Sequence, residues 1–154
     1  MSELLEDLPR DPREARRAAM DALARREYGF NELVARLEKR GFDANAAHDT
    51  VAALRTEGLQ SDTRFAEAAV ASAARRGKGP KRIEADLAER GLAGELVADA
   101  INESGVDWFE LARDVRVGKF GATVPAAFPD KAKQMRFLQY RGFNSEQIRH
   151  AIGD

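Results

Sequence analysis

The sequence predicts an all-α fold, with three tandem three-helix repeats stacked into an elongated array, on three observations. The chain copies itself: residues 24–42 read ARREYGFNELVARLEKRGF and residues 74–92 read ARRGKGPKRIEADLAERGL. Ala24-Arg25-Arg26 stands 50 positions before Ala74-Arg75-Arg76, and Leu37 and Arg40-Gly41 stand 50 before Leu87 and Arg90-Gly91. FLQYRGF at 137–143 repeats the end of the block, with Leu138, Arg141 and Gly142 falling 51 positions after Leu87, Arg90 and Gly91. A period near 50 with no gap between copies marks helical units too small to bury a core alone, which stack on their neighbours. The second observation is composition: alanine is abundant, aromatics make up 7% and β-branched residues are sparse, which favours helices over strands. The third is punctuation, because helix starts and glycine stops recur at matched positions in each copy.

The expected divisions are an N-terminal tail over 1–10 and repeats over 11–58, 59–106 and 107–154. In the first repeat Asp11-Pro12 pairs a capping residue with proline at the first helical position. ARRAAMDALARR carries that helix toward Gly29. The second helix places Leu33 and Leu37 one turn apart and stops at Gly41, a position suited to a left-handed backbone. Asp43 caps a third helix with Ala47, Val51 and Leu54 inward, ending near Gly58.

The second repeat follows the same script. Asp62 is expected to cap a helix whose inner face is Phe65, Ala66, Ala69, Val70 and Ala73. Gly79-Pro80 opens the next helix, with Ile83 and Leu87 in the slots of Leu33 and Leu37, and Val97 and Ile101 match Ala47 and Val51 in the third. The last repeat opens at Asp107, with Glu110 placed for a capping box. Gly and Pro mark 118–130 as a loop. A helix over roughly 130–141 follows, then Asn144 caps a short one bearing Ile148 and Ile152. Gln134 falls in the slot of Leu33 and Ile83, so the last copy is imperfect.

With 154 residues the chain has the length of one ordinary domain, and 44% apolar with 33% charged residues fits a soluble protein with a modest core. No apolar run approaches the roughly 20 residues that span a bilayer. The polar, acidic N-terminus lacks a signal-peptide core. The absence of cysteine excludes disulfides and thiolate chemistry and suits a reducing cytosol, so a cytoplasmic, membrane-free protein is expected. Net charge is −1, but it is banded: five bases and no acid occupy 75–82, whereas 83–107 holds one base against seven acids.

Catalytic chemistry is excluded. The two histidines, His48 and His150, stand apart, and surface positions are expected for both. GKGPK at 77–81 lacks the strand and spacing of a phosphate loop. Acidic pairs such as Asp62/Glu67 and Glu84/Asp86 read as caps and solvated faces. No catalytic, metal or cofactor site and no small-molecule substrate is expected.

Binding chemistry remains. Arg75, Arg76, Lys78, Lys81 and Arg82 surround the turn between two helices, and Gly79-Pro80 brings a positive helix N-terminus to the same spot. Arg25 and Arg26 occupy the matching place in the first repeat, and Arg116, Lys119, Lys131 and Lys133 flank the loop of the third. With the repeats stacked in register these groups would line one edge, suited to a phosphate backbone or an acidic protein surface. A helix-turn-helix reading is disfavoured, because the helices after the turns carry Asp43, Asp49 and Glu57, then Glu95, Asp99 and Glu103, which repel DNA.

The chain resembles the bacterial RecX regulatory family, the modulators of the RecA recombinase, in its proteobacterial branch. The matching stretches, covering about 20–154, are ARREYGFNELVARLEKRGF, SDTRFAEAAVASAARRGKGPKRIEADLAERGL, DWFELARDVRVGKFG and KQMRFLQYRGF. RFA at 64–66 with GKGPKRI at 77–83 is the most specific part. One departure is Gly29, where relatives usually place a serine, which weakens a cap. The resemblance implies a curved, three-repeat helical protein that lodges along the RecA filament on single-stranded DNA and restrains strand exchange, ATP hydrolysis and co-protease activity. A monomer is expected. The alternative is a stand-alone, non-specific module for single- or double-stranded DNA. Near-zero net charge, with only two tyrosines and one tryptophan for stacking, counts against it.

Overall fold

The computed structural model describes residues 11–154, so the expected tail over 1–10 lies outside the described residues. Among the described residues the chain forms nine α-helices and no strand. They are α1 Pro12–Arg25, α2 Phe30–Lys39, α3 Ala44–Thr56, α4 Asp62–Arg75, α5 Pro80–Glu89, α6 Glu95–Asn102, α7 Trp108–Phe120, α8 Asp130–Tyr140 and α9 Ser145–Ile152. The described residues gather into two compact units, one ending at Phe65 and the other covering Ala66–Asp154, which divide inside α4.

The first unit buries Ala15, Ala19 and Ala22 of α1 against Leu33 and Leu37 of α2 and Ala47, Val51 and Leu54 of α3, closed by Tyr28, Phe30 and Phe42. Alanines three and four apart give α1 a flat face, so α3 can pack closely against it. Each buried leucine contributes roughly 1.5–3 kcal/mol. Helix starts are capped as expected: Asp11 accepts from the Arg13 amide at 2.9 Å and Asp43 from the Ala46 amide at 3.2 Å.

The recurring Arg-Gly-Phe and Arg-Gly-Leu stops are Schellman closures. The amides of Phe42, Leu92 and Phe143 reach back to the carbonyls of Leu37, Leu87 and Leu138 at 3.1, 2.9 and 3.1 Å. Each closure needs a left-handed residue, supplied by Gly41, Gly91 and Gly142. The same bonds bring the apolar residue after glycine beside the leucine that ends the helix's inner face, which is why the triplet recurs where that leucine does.

The second unit buries Ile83 and Leu87 of α5, Val97 and Ile101 of α6, and a cluster of Ala112, Leu138, Phe143, Ile148, Ala151 and Ile152 built on α7, α8 and α9. Gln134 takes its apolar-looking slot for a reason. It is buried at 8% exposure, where its Oε1 lies 3.4 Å from the guanidinium of Arg116.

Local details differ from expectation. Helix α7 runs through Phe120, so the irregular stretch is 121–129 and not 118–130. Ser61, not Asp62, caps α4, its hydroxyl accepting from the Arg64 amide at 3.2 Å. Asp107 accepts from the Phe109 and Glu110 amides, while the Glu110 carboxylate turns to His150 at 2.9 Å in place of a return bond. A complete capping box forms at Asn144 with Gln147.

Candidate partner-binding surface

The basic stretch 75–82 is folded around a joint between two turns of the second unit. Helix α4 stops in a Schellman closure, with the Lys78 amide on the Ala73 carbonyl at 3.0 Å, and α5 begins two residues later. The α8–α9 turn docks onto that start. The Gly79 amide donates to the Arg141 carbonyl at 2.8 Å and the Lys81 amide to the Gly142 carbonyl at 3.0 Å. Arg141 returns the contact through its guanidinium, with Nε donating to the Gly77 carbonyl at 3.2 Å and a terminal nitrogen to the Arg76 carbonyl. The C-terminal carbonyls of one helix thus meet the N-terminal amides of another, satisfying groups that a helix end leaves without partners. The approach requires glycine on both sides: a Cβ on Gly79 would stand 2.5–2.7 Å from the Gly142 backbone and Phe143 nitrogen.

This joint corrects one expectation. The α5 N-terminus is not an open anion site, because chain carbonyls occupy it. It also changes the charge of the knot. Asp86, four residues beyond the all-basic stretch, lies between Lys78 at 3.1 Å and Arg82 at 3.5 Å. Arg82 donates in addition to the Tyr140 carbonyl at 3.3 Å and its guanidinium sits 5.2 Å from the centre of the Tyr140 ring. Arg75, Arg76 and Lys81 remain exposed, without an ion-pair partner among the described residues.

The other expected cations fare unequally. Arg25 is exposed at the end of α1, but Arg26 pairs with Glu32 at 3.0 Å and lies 3.7 Å over the Tyr28 ring. Lys131 pairs with the Asp154 side chain at 2.8 Å. Lys119 lies 5.8 Å from the Phe137 ring, and Lys133 is exposed. Arg116 does not belong on a binding surface. It is 1% exposed, and its Nε donates to the Ala151 carbonyl at 2.6 Å while a terminal nitrogen reaches the Gly121 and Thr123 carbonyls at 3.3 and 3.2 Å. A buried guanidinium persists only when its donors are met. Here they tie the start of the 121–129 loop to the end of α9, where the helix dipole also favours a cation.

Two features escaped sequence reasoning. Arg141 had been visible only as part of a repeated stop, and Tyr140 carries a ring 72% exposed beside the knot. His48 packs edge-on against Phe30 and His150 against Phe109, both on exposed positions. Among the described residues no three His, Asp or Glu side chains converge to hold a metal ion, and no helix is long and apolar enough to cross a membrane.

Short helices in three-helix domains, with a glycine joint and a cationic turn, define an all-helical repeat protein. Two family models match, "RecX, second three-helix domain" over 61–101 and "RecX, third three-helix domain" over 106–152. The chain is 43% identical over 136 residues to the regulatory protein RecX of Halorhodospira halophila, covering 88% of this chain and 84% of that one. It is 43% identical over 138 residues to that of Ectopseudomonas mendocina, covering 90% and 92%. The crystal structure of RecX from Lactobacillus salivarius shares the fold at a TM-score of 0.76 and 19% identity, over 92% of this chain and 94% of that one. The chain therefore belongs to the RecX family of regulatory proteins, which are non-catalytic.

Proposed function

We propose that this chain binds the RecA recombinase filament on single-stranded DNA and restrains its strand exchange, ATP hydrolysis and co-protease activity in the cytoplasm. Family membership supports the regulatory role, and the observation that carries a binding surface is the joint at 76–82. Its backbone is fixed by four bonds to the α8–α9 turn, so Arg75, Arg76 and Lys81 project from a rigid base and spend their charge on no neighbour. A backbone already held in place spares the cost of ordering a loop when these cations meet an acidic or phosphate-bearing surface. Lys78 and Arg82 serve the joint as well as the surface, whereas Arg25 and Lys133 offer further exposed charge.

The test is RecA-dependent ATP hydrolysis on single-stranded DNA, titrated with the protein. The wild type should slow hydrolysis, and Arg75→Glu/Arg76→Glu/Lys81→Glu should lose potency while keeping its unfolding midpoint. A folded triple variant that inhibits at normal potency removes the surface. A wild type that leaves hydrolysis untouched removes the RecA reading itself.

A further inference from the structure

Tyr140 is one of two tyrosines in the chain, and its ring is 72% exposed. Buried tyrosines fill cores, as Tyr28 does; this one fills nothing. Its surroundings are held still. The Tyr140 carbonyl accepts from Arg82, and the next two carbonyls are bonded to the Gly79 and Lys81 amides. Arg82 is itself held at one edge by Asp86, with its guanidinium 5.2 Å from the ring centre. The exposed cation Lys81 precedes Arg82 on α5, and the exposed Arg75 and Arg76 end α4 on the turn that Arg141 grips.

We propose that Tyr140 and Arg82 form a stacking platform for one base of a single-stranded nucleic acid, whose phosphates run over Lys81, Arg75 and Arg76. The Arg82 guanidinium lies over one face of the Tyr140 ring and backs it, leaving the ring's other face for a base, and the unpaired cations of the same turn offer counter-charge to the backbone that carries it. An apolar protein anchor would find no matching chemistry here, because the residues flanking the ring along the chain are Gln139 and Arg141 and the neighbour across the joint is a cation. Duplex DNA hides its base faces and should bind less well than a single strand. The inference rests on the reading of 75–82 as the binding surface, and adds to it the ligand class and a residue outside the basic stretch.

Fluorescence anisotropy decides, using a labelled oligothymidylate and an abasic strand of equal length, each at two salt concentrations. The wild type should prefer the strand with bases by about ten-fold, the scale of one stacked base. Tyr140→Phe should keep that preference. Tyr140→Ala should abolish it and leave abasic binding unchanged. Lys81→Glu should weaken both probes and reduce the salt slope by about one. Equal wild-type affinity for the two strands, or an equal loss on both in Tyr140→Ala, overturns the platform. Tyr140→Ala with normal oligothymidylate binding but weakened inhibition of RecA assigns the ring to a protein contact and overturns it too, while the RecA reading stands. Normal inhibition by wild type with no strand preference has the same meaning for each.

Discussion

Helices α2 and α5 start at the same phase of the 50-residue pattern, after Gly29 and Gly79, yet their first amides are satisfied by different chemistry. At α2 the Phe30 amide donates to the Asp62 carboxylate at 2.8 Å, and Gln60 bridges the Tyr28 carbonyl and the same carboxylate oxygen at 3.1 Å each. At α5 the acceptors are the main-chain carbonyls of Arg141 and Gly142. Neither start has a side-chain cap of its own. A repeated sequence thus preserves the need for a cap but not its source: one joint uses a charged side chain on a nearby helix, the other a close backbone approach.

Close approach leaves less room for change, so the largest effect is expected there. Gly142 sits at φ +100°, and a Cβ would strike the Arg82 backbone. Left-handed strain of roughly 1–3 kcal/mol and a forced displacement of similar size put Gly142→Ala at about 2–6 kcal/mol of lost stability. In Gly29→Ala the new Cβ meets the edge of the Phe65 ring at 3.2–3.3 Å at an ordinary φ of −69°, so the change should stay within about 1 kcal/mol. Urea midpoints of the two variants test the contrast, and equal losses would remove the distinction between the joints.

Next in size is Asp62→Ala, which takes the acceptor from Phe30 and should cost about 1–2 kcal/mol, the value of a lost helix cap. The sharper experiment is the double variant. Gly29→Ser supplies a local hydroxyl, so it should recover part of the loss in the Asp62→Ala background and add little to the wild type, where Asp62 already holds the amide. Independent, additive effects in this cycle would show that Asp62 is not the cap.

At α5 the equivalent side-chain test is Arg141→Lys. A lysine keeps the charge but offers one nitrogen where the guanidinium sets two, one on each carbonyl, and the main-chain bonds of Gly79 and Lys81 persist. A loss of about 1 kcal/mol is expected, smaller than that of Gly142→Ala, since the amide–carbonyl pairs hold the joint without it.

These cases also mark what could be read in the sequence. The apolar slots 50 apart, the Arg-Gly-Phe stops and the caps at Asp11, Asp43, Asp107 and Asn144 were legible because each is a local rule that acts within one turn of helix. Asp62 to Phe30 and Arg116 to Ala151 were not, since they join positions 32 and 35 residues apart with no periodicity to announce them. Its place beside the Gly- and Pro-rich loop, with Lys119, Lys131 and Lys133, makes Arg116 look like a surface cation; only the carbonyls converging on it explain its burial, and the polar Gln134 in an apolar slot is the one trace in the sequence. Asp86 reads in the sequence as half of a solvated acidic pair, and only the fold sets it between Lys78 and Arg82.

The smallest effect separates a side-chain contact elsewhere in the first unit from the α5 joint by pH. Arg16 of α1 grips Glu57 just past α3 with two bonds of 2.7 Å, and that hydrogen bonding holds the Glu57 carboxyl below the usual carboxylate range. A carboxyl whose value falls on folding stabilises the protein above its unfolded value, and that contribution disappears as pH drops through the folded one. The pair is exposed, so salt should shrink the effect further. The main-chain carbonyls at α5 have no proton to gain over this range. Glu57→Gln should therefore flatten part of the acid limb of the stability–pH curve, while Arg141→Lys should lower the curve without changing its shape. An acid limb identical in Glu57→Gln and wild type at low salt would show that this contact adds nothing to the first unit.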